Sequence, residues 1–164
     1  MTITFLDKAE AKQILPSLYR IFHDNMKGIL ETDGPYEDGL NKWLACVGPA
    51  LEKEPRQILL LKDGEKTAGF FQYYVNDGVF GMEEIQFHEE YRGTGLFREL
   101  YRYLVAILPA DTEYMEAYAH KNNTKSMAVL AHLGLHVIGE EPNGKLLHYR
   151  GRYSDLARRY GSDI

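Results

Sequence analysis

"EEYRGTGLFRELY", residues 89–101, sets two glycines around a threonine, after an apolar run and before a helical pattern. That order predicts a strand that leaves its sheet through a bare turn and enters a helix. The first N–H groups of a helix have no partner within it and lie at the positive end of the helix dipole, so such a turn attracts phosphate. With no Cβ on Gly93 or Gly95, an anion can come within hydrogen-bonding distance of the main chain. Arg92 adds a planar charge able to engage two oxygens at once. The same turn also serves chains that bind nothing, and RGTG alone does not separate these uses. Two familiar phosphate loops fail the comparison. A dinucleotide fingerprint needs glycine where Arg98 stands, and a P-loop needs Gly-Lys followed by Ser or Thr, which the chain lacks.

Around this turn the hydrophobic period changes. Upstream, "RQILLLKDG" and "EKTAGFFQYYVNDGVFGMEEIQF" hold three extended runs broken at Asp63-Gly64 and Asp77-Gly78, which predicts a three-stranded antiparallel meander. Downstream, Phe97, Leu100, Tyr101, Leu104 and Leu108 form a helical stripe that stops at Pro109. "EYMEAYAH" then reads as a strand, residues 124–133 as a helix, and "LHVIGEEPNGKLLHYRG" as a hairpin turning at Asn143-Gly144. A strand, a helix and a strand across 79–120 imply a parallel pair joined by a right-handed crossover, so the sheet is mixed. Ahead of the meander, "TITF" alternates as a short strand, and Asp7 with Glu10 has the form of a capping box. The helix that follows carries Leu15, Leu18, Phe22, Met26 and Ile29 and is expected to kink or restart at Pro16. A second helix carries Leu40, Trp43, Leu44, Val47 and Leu51, with Gly48 and Pro49 interrupting it. The tail "RGRYSDLARRYGS" reads as a short solvated helix capped by Ser154, or else as a partner or dimer contact.

With 164 residues, 45% hydrophobic and 26% charged, the chain has the balance of one soluble domain spanning 1–164. No apolar stretch reaches the eighteen or so residues of a membrane span, and the first residues lack a signal pattern, so the expected location is cytoplasmic with no membrane partner. Cys46 is the only cysteine, which excludes an internal disulfide or a cysteine zinc site, and it is expected to fill core space. A net charge of -5, from 19 basic and 24 acidic residues, argues against binding nucleic acid. His23, His88, His132, His136 and His148 show no metal-ligand spacing, so no metal is expected.

A second block, "NTKSMAVLAHLGL", covers residues 123–135. Read alone, Asn123 and Ser126 cap a helix and Gly134 ends it, which requires no ligand. Taken with the first block, it resembles the two signature motifs of the GNAT superfamily of acyl-CoA N-acyltransferases. The first motif, Arg/Gln-x-x-Gly-x-Gly/Ala, falls on Arg92, Gly93, Thr94, Gly95, Leu96 and Phe97, with Phe97 where a small residue is usual. The second falls on Asn123, Ser126, Leu130, Gly134 and Leu135. The resemblance is close over residues 56–150 and extends to the N-terminal helices in general layout. It implies an α/β (α+β) fold with a mixed, mostly antiparallel sheet of about seven strands and about four helices, strands four and five splayed around a coenzyme A site.

The resemblance also implies a chemistry. Acetyl-CoA would lie in the gap between those strands, and an amine would attack its thioester directly, with no metal. Main-chain groups of Ile85 and Phe87 would pair with the pantetheine arm, and the N–H groups of Gly93, Thr94, Gly95, Leu96 and Phe97 would hold the pyrophosphate beside Arg92. Asn123 would contact the arm from the other side. An ammonium ion has no lone pair, so a base must take a proton from it. Glu83, nine residues before Arg92, aligns with the base of relatives similar to diamine acetyltransferases. Glu84 faces the other side of the strand unless a bulge intervenes, and both equally suit a solvated sheet surface. The leaving thiolate needs a donor. Many relatives use a tyrosine where Leu130 stands, whereas the ribosomal-protein N-terminal acetyltransferase branch points to the motif serine, Ser126. Glu116, Tyr118 and His120 share one face of the fifth strand by alternation. Some relatives place a base five residues before the motif asparagine, at Tyr118. His120 would either relay a proton or simply end the strand.

Acceptors in this fold enter from the side of the first two helices and their loop. Here "LETDGPYEDG" carries Glu31, Asp33, Glu37 and Asp38, a group that would draw a cationic acceptor such as a polyamine, an aminoglycoside-like amine or a basic peptide end. The expected function is transfer of an acetyl group from acetyl-CoA to a primary amine of a small molecule or peptide, through a ternary complex, with a homodimer as an option. The alternative is a domain of the same fold that binds acyl-CoA as a sensor without turnover.

Overall fold

The computed structural model describes residues 1–30, 34–53 and 55–161. In chain order the elements are β1 (Thr2–Phe5), α1 (Ala11–Met26), α2 (Tyr36–Glu52), β2 (Arg56–Asp63), β3 (Lys66–Asn76), β4 (Val79–Phe87), a 3₁₀ turn (Glu89–Tyr91), α3 (Leu96–Ile107), β5 (Tyr114–His120), α4 (Thr124–His132), β6 (His136–Glu140), β7 (Leu146–Arg152) and α5 (Tyr153–Tyr160). The strands form one seven-stranded sheet in the order β1-β2-β3-β4-β5-β7-β6. β4 and β5 run parallel, whereas β1 with β2, β5 with β7 and β6 with β7 run antiparallel. The mixed, mostly antiparallel sheet matches the expectation. The turns at Asp63-Gly64 and Asp77-Gly78 fall between strands, where the sequence puts them. By contact the chain forms two compact units, whose boundary passes through β3 after Gln72 and through β4 after Glu83.

The first unit comprises Met1–Gln72 and Glu84–Thr94. Its core joins Leu15, Leu18 and Ile21 of α1, Val47 and Leu51 of α2, and Ile58, Leu60 and Phe70 of β2 and β3. Each such side chain removed from water contributes about 1.5–3 kcal/mol, which explains why α1 does not restart at Pro16 and α2 is not interrupted at Gly48 and Pro49. α1 runs through Pro16 and α2 runs through Gly48 and Pro49 without a break. A proline inside a helix loses one main-chain hydrogen bond, and the buried stripe on each helix outweighs that loss. The capping box also fails. Asp7 instead closes a turn, its carboxylate accepting the Ala9 N–H at 2.8 Å, and α1 starts after Glu10 with no side-chain cap. Cys46 is exposed rather than core filler, because it lies off the stripe that Val47 and Leu51 bury.

The second unit comprises Tyr73–Glu83 and Gly95–Ile164. α3 buries Leu96, Leu100, Tyr101 and Leu104, and half-buried Phe97 sets its ring 4.6 Å from that of Tyr101. β5 alternates, burying Met115, Ala117 and Ala119 on one face and turning Glu116, Tyr118 and His120 to the other. The tail helix is not merely solvated: α5 buries Leu156 and Tyr160, the latter 5.5 Å from the Tyr101 ring. Nor does Ser154 cap it. The helix starts one residue earlier, where the Tyr153 N–H donates to the Glu113 carbonyl at 2.9 Å. The β4–β5 register runs from Val79–Tyr114 to Met82–Ala117. Both strands continue beyond it, β4 to Phe87 and β5 to His120.

Candidate active site

The glycine turn follows β4 through the 3₁₀ turn, which closes with the Tyr91 N–H on the His88 carbonyl at 3.0 Å and the Arg92 N–H on the Glu89 carbonyl at 3.1 Å. The Thr94 hydroxyl donates to the Tyr91 carbonyl at 2.6 Å. Gly93 and Gly95 have φ of 75° and 85°. This left-handed region costs a residue bearing a Cβ about 1–2 kcal/mol. A Cβ at either glycine would stand in open space, so the backbone conformation and not crowding selects glycine here. α3 then begins at Leu96 without a side-chain cap. Among the described residues, the N–H groups of Gly93, Thr94, Gly95, Leu96 and Phe97 have no protein acceptor. Arg92 through Gly95 are exposed. The bare stretch is therefore a row of donors held by its own turn.

Arg92 is held from α1. Its Nη2 donates to Asn25 Oδ1 at 2.7 Å, and Asn25 Nδ2 donates to Gln86 Oε1 at 2.9 Å and to the Phe87 carbonyl at 2.8 Å. Gln86 Nε2 in turn donates to Glu84 Oε1 at 2.6 Å. A guanidinium only donates and a carboxylate only accepts, so the two ends of this chain fix the orientation of both amides between them. One bond uses one of five guanidinium N–H groups and leaves the others for an anion. The Phe87 carbonyl, expected to meet pantetheine, carries the Asn25 amide.

In the second block Asn123 caps α4. Its Oδ1 accepts the Ser126 N–H at 3.1 Å, and its carbonyl accepts the Met127 N–H at 3.1 Å. After the helix, Gly134 takes a φ of 98° and the Leu135 N–H returns to the Leu130 carbonyl at 3.0 Å. Leu130, Leu133 and Leu135 are buried. The capping reading of this motif is real, and it leaves the Asn123 Nδ2 group and the Ser126 hydroxyl out of the cap.

The two β4 carboxylates part company. Glu84 shares a face with Gln86, as their hydrogen bond shows. Glu83 lies two residues past Gly81, which pairs with Glu116 of β5, so Glu83 shares the face that carries Glu116 and Tyr118. On that face the Glu116 carboxylate accepts Tyr74 Oη at 3.2 Å, Tyr118 Oη at 3.2 Å and His148 Nε2 at 2.6 Å. The Tyr118 and His148 rings stack with centroids 4.4 Å apart and planes 9° from parallel. Burial first, then the charge of Glu116, its hydrogen bond and the charge of Glu83, push the Tyr74 phenol up to about 12. Burial and Glu116 raise Tyr118 as well. Both phenols therefore keep their protons near neutrality. His120 stands apart: its Nδ1 accepts the Asn122 N–H at 3.1 Å in the turn that ends β5.

A model of the acetyltransferase (GNAT) family matches residues 15–135. The chain belongs to that family. GNAT architecture recurs in solved structures of low identity. An acetyltransferase of Thermus thermophilus is 18% identical with a TM-score of 0.71, over 93% of this chain and 97% of that one. The PaiA N-acetyltransferase of Thermoplasma acidophilum, solved in complex with coenzyme A, is 12% identical with a TM-score of 0.72, over 93% and 100%. A spermidine N-acetyltransferase of Vibrio cholerae is 16% identical with a TM-score of 0.61, over 97% and 99%. No curated protein sequence matches.

Within this GNAT chain the structure joins Arg92 to Glu84 through Asn25 and Gln86, and Glu116 to Tyr74, Tyr118 and His148. Asn25 and His148 are not among the candidates that the sequence offers. Neither has a local signal, because their partners come from residues 67 and 32 positions away. Of the acidic loop, Glu31 and Asp33 lie outside the described residues, while Glu37 and Asp38 sit in the first turn of α2, where the helix dipole favours them. A surface pocket bounded by Phe5, Leu51 and Ile58 contains no candidate residue. Among the described residues, no group of three or more His, Cys, Asp or Glu could hold a metal, and no helix is long and apolar enough to cross a membrane.

One consequence separates cap from contact at Asn123. Asn123→Ala is expected to lose about 0.5–2 kcal/mol of stability in denaturant unfolding. Asn123→Asp keeps the capping oxygen but replaces Nδ2, so it should stay near wild-type stability and still bind coenzyme A more weakly by calorimetry. Equal affinity would leave Asn123 a cap and nothing more.

Proposed function

We propose that this GNAT protein transfers the acetyl group of acetyl-CoA to a primary amine by direct attack within a ternary complex. The observation that carries the reading is the row of N–H donors at residues 93–97 without protein acceptors, beside the exposed Arg92. That donor set fits a diphosphate, which offers several anionic oxygens and no hydrogen to donate. Asn25 keeps Arg92 at the turn. Bound there, acetyl-CoA supplies an activated acyl thioester, and Ile85, Phe87 and Asn123 are the residues proposed to hold its arm.

Glu83 is the proposed base at the nitrogen, since it shares the face of Tyr74 and Glu116 while Glu84 is engaged by Gln86 on the other. Ser126, whose N–H is held by Asn123, is the proposed donor to the leaving sulfur. The acceptor is proposed to be a cationic amine, small or at a peptide end. Support comes from Glu37 and Asp38 at the start of α2 and from the spermidine substrate named for one structural relative.

The test is a panel of polyamines, aminoglycosides, amino acids and basic peptides incubated with acetyl-CoA, with free thiol followed continuously and acetylated product identified by mass. Thiol release with at least one cationic amine, and little with neutral amino acids at equal ionic strength, is the expected result. Tight coenzyme A binding with no thiol release from any amine would leave a sensor domain instead.

A further inference from the structure

We propose that His148, oriented by Glu116, is the proton acceptor that converts the incoming ammonium into a nucleophilic amine. The inference rests on the acetyl transfer proposed above and adds a second group to its proton handling. An ammonium nitrogen loses two protons as it becomes an amide: one before attack, to free the lone pair, and one as the new C–N bond forms and the C–S bond breaks. The second ends on the departing sulfur, taken from the nitrogen by Glu83 and given to the sulfur by Ser126 in the roles proposed above. The first must reach solvent, so its acceptor needs both a free lone pair and contact with water.

His148 meets both conditions. Tyr74 and Tyr118 each donate a hydroxyl hydrogen to Glu116, and an ionised carboxylate, which only accepts, takes the hydrogen at His148 Nε2 from the imidazole. In the neutral imidazole that donates Nε2–H to this carboxylate, the lone pair lies on Nδ1, to which no described residue donates. A proton arriving at Nδ1 makes an imidazolium 2.6 Å from a carboxylate, the arrangement that both orients an imidazole and stabilises its charged form. The stacked Tyr118 ring sets the plane. The His148 side chain keeps 24% of its surface exposed, which gives the proton a way out.

Three further features mark this cluster as built. Gly81 stands opposite Glu116 in the β4–β5 register, and a Cβ there would overlap the Tyr74 ring, so the glycine makes room for the phenol that reaches Glu116. Glu83 and Tyr118 are the first residues of β4 and β5 beyond the last registered pair, Met82–Ala117, which places the cluster where the two strands stop pairing. The polar groups on this face of the sheet come from four strands: Tyr74 of β3, Glu83 of β4, Glu116 and Tyr118 of β5, and, beside His148 on β7, Arg150, whose guanidinium covers the Tyr114 ring at 4.4 Å. Glu141 adds a negative charge near Tyr118.

The pH dependence of kcat/KM for the best amine of the panel tests the assignment. Wild-type protein is expected to show an acidic limb, as imidazole protonation removes the base. His148→Gln should lose that limb, with kcat/KM lowered about 10²–10⁴-fold. Glu116→Gln should lower kcat/KM as well, since the imidazole loses the carboxylate that orients it. An unchanged profile in a folded His148→Gln protein overturns the assignment and leaves the acetyl-transfer reading intact. No thiol release by the wild-type protein with any amine overturns both. Should the variants fail to fold, ¹⁵N spectra of the wild-type imidazole decide: the Nε2–H tautomer is expected, and the Nδ1–H tautomer overturns the proposal.

Discussion

Glu83→Gln is expected to lower kcat by about 10²–10⁴-fold, the usual worth of a positioned base, while leaving the affinity for coenzyme A unchanged. The substitution preserves size and hydrogen-bonding capacity but cannot take a proton from the nitrogen. It leaves the residues of the turn at 93–97 unchanged, and Glu83 is only half-buried, so little stability is at stake. Steady-state kinetics paired with calorimetric titration of coenzyme A separates the two effects. If kcat is retained, the base lies elsewhere on this face. The matching Glu84→Gln change should do far less, because a glutamine can still accept the Gln86 amide that Glu84 now accepts.

Gly95→Val is expected to weaken coenzyme A binding about 10- to 100-fold, the loss of one or two hydrogen bonds to a charged group. At a φ of 85° a β-branched residue is strained, and relief of that strain would turn the neighbouring N–H groups out of line. The stability penalty should be only about 1–2 kcal/mol, or a few degrees in Tm at about 2–4 °C per kcal/mol. A control removes the ambiguity between strain and ligand loss. Gly144 has a φ of 70° in the β6–β7 turn and, like Gly95, open space around its Cβ position. Gly144→Val should carry a similar stability cost and leave coenzyme A binding as it was. Equal binding losses in both variants would mean that the turn at residue 95 holds no ligand.

Much of this fold follows from local rules. The meander strands are legible because period-two alternation and the Asp-Gly dipeptides are properties of neighbouring residues. The turn at residues 92–97 is legible because only glycine is at ease in the left-handed backbone there. Phe97 looked out of place in its motif, yet its ring packs on Tyr101 and its N–H stays among those without a protein acceptor. Other features were hidden because they depend on burial or register. Pro16 and Pro49 read as breaks, but the tertiary core carries both helices through them. Ser154 read as a cap, but the Glu113 carbonyl, forty residues away, already meets the helix start. Asn25 and His148 were invisible for the same reason: the residues they serve become neighbours only once α1 meets the end of β4 and β7 aligns with β5.

The donor turn itself can be observed directly. Titration of ¹⁵N-labelled protein with coenzyme A should shift the amides of Gly93, Thr94, Gly95, Leu96 and Phe97 together and slow their exchange with water. Saturable coenzyme A binding that leaves those amides unshifted and still exchanging freely would contradict the phosphate grip at this turn, and with it the placement of the thioester that the rest of the chemistry requires.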